Sequence, residues 1–389
     1  MNFKYPLAIS SWGNEEIKAM QDVISRGFFT MGGHVKEFEE NFAAYFDANY
    51  CVMVNSGSSA NLLMIASLFY TKNEKYKLKR GDEIIVPAVS WSTTYYPLYQ
   101  YGLRIKFVDI DLYTLNYDLN QLNMAITEKT RVIFAVNLLG NANDYDEIQK
   151  LMYQKNIILL EDNCESMGAT YNKKFTGTFG LMGTFSSFFS HHISTMEGGL
   201  IVTDDIELYQ ILLSLRAHGW TRNLPKENYV CSDKSDNLFE ESFRFVLPGY
   251  NVRPIELEGA IGIEQLKKLP NMLSNRRKNA ELFKETMIQH KELLIQKEIG
   301  SSSWFGFSIV IKPESEITRS ELIKNLSSIG FECRPIVAGN FAKNEVVKYF
   351  DYEIFGDLKN ANHIDRQGLF IGNQNILMDS AMNDLNKLF

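Results

Sequence analysis

The chain has 389 residues, 45% of them hydrophobic and 22% charged, with a formal net charge of -7. That length exceeds what one hydrophobic core usually serves, so a large domain with a smaller companion is expected. The acidic balance argues against nucleic acid as a partner, and no apolar run approaches the ~20 residues of a membrane span.

In chain order, short apolar runs alternate with amphipathic stretches through the first two-thirds, the pattern of an α/β sheet with crossover helices. Tyr50–Val54 reads as a strand, Asn55–Ser59 as a turn and Ala60–Phe69 as a helix. Glu83–Val86, Ile105–Val108, Val132–Val136, Ile157–Leu160 and Leu200–Thr203 read as further strands, with helices at Asp118–Thr127 and Tyr145–Lys155. Beyond Asn251 the rhythm changes. Helices are expected at Pro254–Leu269, with Pro254 in the first turn, and at Leu273–Leu293. Trp304–Ile311, Thr318–Ser328 and Phe331–Val337 then read as strand, helix, strand. The expected division is 1–253 for a large domain and 254–389 for a linking helix and small domain.

Cys51, Cys164, Cys231 and Cys333 are scattered without a C-x-x-C pair, so buried, reduced thiols are expected and an iron–sulfur site is not. The segment MNFKYPLAISSWGNEE has no apolar h-region, which points to the cytoplasm.

Four separated features suit one cofactor. Gly57, Ser58 and Ser59 stand at a strand–helix junction, where N–H groups, hydroxyls and the helix dipole favour phosphate, although such residues often only cap the helix. Trp91, after a strand, offers a flat face for a pyridine ring, where an ordinary tryptophan would be core. Asp162, just beyond an apolar strand, can pair with a protonated pyridine nitrogen, and Glu165 can lie near the ring's O3′; the bland alternative for Asp162 is a helix cap. Last comes FSSFFSHHISTMEGG, where Ser186 can donate to the phosphate and His191 stands at the reactive carbon. A metal pair of His191 and His192 is not expected, because no spaced third ligand is evident, and His192 is read as structural. The cofactor these features suit is pyridoxal 5′-phosphate (PLP).

Their order closely resembles the DegT/DnrJ/StrS-type sugar-nucleotide aminotransferases, with the aspartate aminotransferase fold (fold type I). The likeness runs through FTMGGHVKEFEENFA, SGSSAN, VPAVSWSTTYYP, LLEDNCESMGA, RAHGWTR and GYNVRPIELEGAIGIEQLKKL. In that family a lysine stands six residues before the glutamate of EGG; here the position holds His191, and Glu197 is the glutamate. Lysine can hold PLP as a Schiff base and imidazole cannot. Histidine there resembles the family's offshoot of 3-dehydratases of 4-keto-6-deoxy sugar nucleotides.

The resemblance implies a three-layer α/β large domain with a mainly parallel sheet, and a smaller α/β domain after it. It implies PLP and pyridoxamine phosphate held noncovalently, L-glutamate as amino donor, and GDP-4-keto-6-deoxy-D-mannose as substrate. It implies that His191 acts as base and then as acid while the C3 hydroxyl leaves, near the unperturbed imidazole pKa of ~6.5. It also implies a homodimer with shared active sites, in which Asn251 reaches the partner's phosphate pocket. His218, Arg222, Arg253 and Arg334 are the expected substrate contacts, Arg334 through the forked geometry in which guanidinium binds phosphate. Two rivals remain at this stage: a plain 4-aminotransferase, which needs a lysine at the cofactor, and a silent binding subunit, which has no need of Asp162, Trp91 and Ser186.

Overall fold

A computed structural model describes residues 3–388. Eight strands form one sheet in the order Tyr50–Val54, Gly199–Thr203, Met182–Ser186, Ile158–Asp162, Thr130–Val136, Glu83–Pro87, Arg104–Val108, Tyr352–Ile354. Gly199–Thr203 runs antiparallel to both neighbours, and every other pairing is parallel. The central strands are buried throughout, which is why they read as continuous aliphatic runs. Neighbouring residues still divide between the faces: Ile84 and Val86 pack in one helix layer and Ile85 in the other. The result is the three-layer α/β arrangement that the resemblance implies.

A four-stranded antiparallel sheet, Leu293–Ile295, Gly306–Ile311, Gly368–Gly372 and Cys333–Arg334, carries a second core with Phe283, Phe307, Leu326 and Leu385. Tyr5 belongs to that second core. Conversely Tyr352–Ile354 returns to the large sheet, alongside Arg104–Val108. Lys106 of the covered strand is buried, its Nζ 2.9 Å from Glu83 and 3.8 Å from Glu353.

The structure differs from the sequence reading at several points. Residues 256–287 form one continuous helix, where two were expected, with Pro270 inside it. A mid-helix proline costs about 3 kcal/mol, but Leu266, Leu269, Met272 and Leu273 are buried on both sides of it, and the helix packs on Asn14–Arg26 and Gly33–Tyr45. Pro254 precedes the N-cap Ile255 and so lies outside the first turn. The Phe331–Val337 strand shrinks to Cys333–Arg334. Only Cys51 is buried, while Cys164, Cys231 and Cys333 are free and partly exposed. Among the described residues no helix is long and apolar enough to cross a membrane.

Helix Gly33–Tyr45 is fastened to the sheet by a buried ion pair. Arg216 donates to Glu39 and, at 2.7 Å, to the Met53 carbonyl, while Glu39 accepts from the Met53 N–H at 2.6 Å. Arg216→Ala leaves Glu39 buried without its counter-charge, so unfolding in urea should show a loss of about 3–5 kcal/mol.

Candidate active site

The floor of the site is a helix start. Gly57–Tyr70 begins directly after the Tyr50–Val54 strand, and the Ser56 hydroxyl caps it by accepting from Ser59 N at 3.1 Å. Ser59 is drawn into that cap: its hydroxyl donates to Asn55 Oδ1 at 2.7 Å and accepts from Ser56 at 3.0 Å. Gly57 and Ser58 line a cavity of about 550 Å³, whereas Ser59 does not. A Cβ at residue 57 would lie 2.8 Å from Ser186 Cβ and 3.0 Å from Cys164 Sγ, so glycine is what lets the helix start approach the opposite wall. First-turn N–H groups and the dipole make this end electropositive.

Asp162 is the last residue of its strand rather than the residue beyond it. Successive strand residues point to opposite faces, and this explains the Glu161-Asp162 pair. Glu161 turns away and is consumed by the Tyr145 hydroxyl at 2.5 Å and the N–H groups of Gly177 and Gly180 at 2.6 and 2.7 Å. Asp162 turns to the cavity and is almost fully buried. Its Oδ2 accepts from Asn61 Nδ2 at 2.8 Å and Thr94 Oγ1 at 2.7 Å, and Oδ1 accepts from Cys164 N at 3.2 Å. Glu165, on the same wall, accepts from Leu139 N at 3.0 Å, and burial raises its carboxyl to about 7.

Trp91 is 58% exposed at the cavity mouth, which decides against a core tryptophan. Ser186 ends its strand on the same wall. The EGG turn brings the His191 loop back over the helix start. Gly198 has φ of 152° and stands where a Cβ would meet the Ser187 and Thr195 hydroxyls at 2.3 Å; at residue 199 a Cβ would meet Ser56 O at 2.3 Å. Glu197 and His191 therefore share the cavity with Ser58 and Ser186.

His191 presents its ring to the cavity, with Nδ1 buried and without a partner among the described residues. The ring of Phe305 stands against it at 5.1 Å. Burial, reinforced by the charge of Arg276, lowers the imidazole to about 4, well below the near-neutral value the sequence suggests. His192 is buried behind it with Nε2 3.2 Å from Ser303 O, the structural place expected for it.

Thus Gly57, Ser58, Trp91, Asp162, Glu165, Ser186, His191 and Arg334 converge on one cavity. Arg334 also pairs with Glu332 at 2.8 Å. Asn251, His218, Arg222 and Arg253 do not line it. They form a separate cluster, with Arg222 4.4 Å and Arg253 5.8 Å over the Trp220 ring, His218 4.8 Å from it, and Asn251 Oδ1 accepting from Arg253 Nε at 3.0 Å. Sequence reading passed over Asn61 and Thr94, which lie far along the chain from the carboxylate they hold. It also passed over Phe305 and Val337, which reach the cavity from the C-terminal region. Only the polar side chains aligned inside helix Gly57–Tyr70 and in TTYYP hinted at the first two.

The residues fit a PLP-sized group. An electropositive helix start faces a hydroxyl, a buried carboxylate is held on both oxygens, a flat aromatic stands at the mouth, and an unpartnered imidazole nitrogen waits beside them.

The lowered imidazole also makes a stability prediction. Between pH 6.5 and 4 the unfolded chain binds a proton at residue 191 that the folded chain does not, so stability falls as pH drops through that window. His191→Asn should remove up to about 3 kcal/mol of this acid loss, seen as a flatter dependence of the urea midpoint on pH. Glu165 acts oppositely: raised to about 7, it costs stability as pH climbs from 4.5, and Glu165→Gln should remove that slope.

Comparison with known proteins gives the family. The chain is 64% identical to the GDP-4-keto-6-deoxy-D-mannose 3-dehydratase of Escherichia coli O55:H7, over 96% of each chain. A solved structure of the E. coli enzyme with bound hydrated PLP superposes with a TM-score of 0.98 at 61% identity, covering all of both chains. Another structure of a GDP-4-keto-6-deoxymannose-3-dehydratase holds a trapped PLP–glutamate geminal diamine; its TM-score is 0.97 at 61% identity, over 99% of this chain and all of that one. Residues 10–385 match the DegT/DnrJ/EryC1/StrS aminotransferase family, and the chain belongs to it.

Proposed function

We propose that this protein is a PLP-dependent 3-dehydratase that removes the C3 hydroxyl of GDP-4-keto-6-deoxy-D-mannose, with L-glutamate as amino donor. The product is GDP-4-keto-3,6-dideoxymannose, the type of intermediate that leads to colitose in O-antigen. The single observation that carries the reading is the imidazole of His191, its Nδ1 without a partner among the described residues, set in the cofactor cavity at the position where the family resemblance expects lysine.

Gly57, Ser58 and Ser186 would hold the phosphate of PLP, Trp91 its ring face, Asp162 its pyridine nitrogen and Glu165 the O3′ side. Bound there, PLP supplies an aldehyde carbon that accepts an amino group and a ring that takes up electron density. His191 is neutral at physiological pH, and its partnerless Nδ1 can accept a proton in the tautomer that carries hydrogen on Nε2. Once protonated it is a strong acid for an imidazolium, which suits delivery of that proton to hydroxide, a poor leaving group. Asp162 keeps a fixed negative charge opposite, pinned by Asn61 and Thr94 so that it need not reorganise. Phe305, Phe370 and Val337 line the C-terminal wall and limit water. The balance closes without an outside reductant. The sugar loses one oxygen, and L-glutamate gains one as it becomes 2-oxoglutarate and ammonia.

The active unit in this reading is a cytoplasmic homodimer with shared sites, each chain divided into a PLP-binding large domain, 1–253, and a linking helix with a small domain, 254–389, from which Tyr352–Ile354 crosses back to the large sheet. Two observations support the dimer. The segment around Trp220 exposes Phe239, Phe243, Phe245 and Leu238, and Asn251, His218, Arg222 and Arg253 sit on that side without a site of their own. A second copy would receive them at its phosphate end, and Arg334 would meet the diphosphate from within the chain.

Incubating PLP-loaded protein with L-glutamate and GDP-4-keto-6-deoxymannose should give a product lighter by one oxygen, with 2-oxoglutarate and ammonia released together. His191→Asn should retain bound PLP but lose turnover by about 10²–10⁴-fold. A stable amino sugar without ammonia would instead establish aminotransferase chemistry.

Sharing of sites is tested by complementation. If the dimer is right, co-expressed His191→Asn and Asn251→Asp chains, each inactive alone, should recover about a quarter of wild-type activity, because half the dimers are mixed and each has one intact site. Recovery of nothing would place Asn251 in its own chain's site, and an active Asn251→Asp chain would place it outside the site.

A further inference from the structure

Behind His191 lies a feature that cofactor binding does not call for. Four consecutive carbonyls, those of Ser302, Ser303, Trp304 and Phe305, are each held by a nitrogen side chain from another element. Arg277 Nε donates to Ser302 O at 3.0 Å, and His192 Nε2 lies 3.2 Å from Ser303 O. Arg276 donates to Trp304 O at 3.3 Å, to Phe305 O at 3.1 Å and to Asn373 O at 2.6 Å. Trp304 has φ of 48°, in the left-handed region that a bulky side chain seldom adopts, so this turn depends on its ties. What the turn presents is the Phe305 ring, 5.1 Å from His191 and 5.7 Å from His192.

Arg276 is itself unusual. It projects from the Glu256–Met287 helix, is 5% exposed, and has backbone carbonyls as its partners. Among the described residues its Nε has no partner, and no carboxylate offsets its buried charge. Burial lowers it only to about 10, so it remains a cation at neutral pH. An uncompensated buried cation is costly and could be replaced by an apolar residue if packing were its purpose.

We propose that Arg276 is a positioning residue for the dehydration: it pins the Trp304–Phe305 turn against the His191 ring and, with its charge left unpaired, holds that imidazole as the neutral base. This rests on the reading of His191 given above. The other charged and titratable groups around His191 lie elsewhere. Asp162, Cys164 and Glu165 face it across the cavity, Glu197 comes from its own loop, and Arg334 from the C-terminal wall. Of these, Glu197 and Arg334 are exposed and screened by solvent, and Asp162 is held by its own donors. Behind the ring are His192, kept neutral by burial, and Arg276.

The test is a titration of cofactor-free protein labelled with [15N]histidine, with the His191 signal assigned by its loss in His191→Asn. Among six histidines, wild-type His191 should titrate well below the free imidazole value. Arg276→Gln should raise its midpoint by up to about one pH unit, and Arg276→Lys, which keeps the charge, should restore it. Phe305→Leu should leave the midpoint in place and lower kcat with KM little changed, because orientation is lost and charge is not. In loaded enzyme the acid limb of the kcat/KM profile should move upward with Arg276→Gln. A folded Arg276→Gln protein with an unmoved His191 midpoint would overturn the proposal. If Arg276→Gln does not fold, a wild-type midpoint at or above ~6.5 overturns it equally. Because the titration needs neither cofactor nor sugar, a chain that shows the shift but does not dehydrate would refute the proposed function and leave standing only the control of the His191 proton by Arg276.

Discussion

The carboxylate of Asp162 is the point at which separate parts of the chain are obliged to meet. A buried negative charge must be satisfied by fixed donors, and each donor here comes from a different place. Asn61 projects from the Gly57–Tyr70 helix, Thr94 from Ser92–Gln100, and the Cys164 N–H from the loop after the strand. Thr184 Oγ1 donates to Asn61 Oδ1 at 2.6 Å and orients its amide. The helix that carries Asn61 is the one whose N-terminus forms the phosphate end. One carboxylate therefore sets the angle between the two ends of the pocket. The parallel strand order makes this possible, since it delivers strand ends and helix starts to the same edge of the sheet.

On that rigid side stands an imidazole of opposite character. Asp162 is wrapped in donors, whereas the Nδ1 of His191 has none, and its environment opposes positive charge. The contrast separates roles: one group keeps its charge through the reaction, and the other gains and gives one up. Lysine at residue 191 would meet the same burial and the same Arg276, conditions that favour a neutral amine as well. The setting thus suits any group that must start uncharged, and the side chain itself decides whether a covalent bond forms.

Much of this was legible in the sequence because the signals are local. Strand–turn–helix at Asn55–Ala60, the acidic pair after an aliphatic run, and EGG before a new strand each fit within a few residues. Six strand cores of the large sheet were found for the same reason, with ends shifted by at most two residues, as hydrogen-bonded ends do, whereas Met182–Ser186 and Tyr352–Ile354 were not read as strands. What escaped the sequence depends on distance. No local pattern says that Asn61 and Thr94 share a carboxylate, or that Phe305 lies on His191. The sequence suggested helices at 254–269 and 273–293, and burial on both sides of Pro270 carries one helix through it. The imidazole's proton affinity was misjudged for the same cause, since it is set by Arg276 from a helix and by burial that only the fold creates.

The late return of Tyr352–Ile354 to the large sheet bears on the protein's life before folding is finished. Until that strand docks, Arg104–Val108 is an open edge, and open edges recruit other chains. Lys106 lies in the middle of that edge, and its ammonium is neutralised by Glu83 and, less closely, by the late-arriving Glu353. On a growing chain an intruding strand from a neighbour would have to bury part of this charge without Glu353 to offset it. The lysine thus discriminates between the chain's own strand and a stranger's, and a nascent polypeptide gains some protection against aggregation during the interval when most of the sheet exists and its last strand does not.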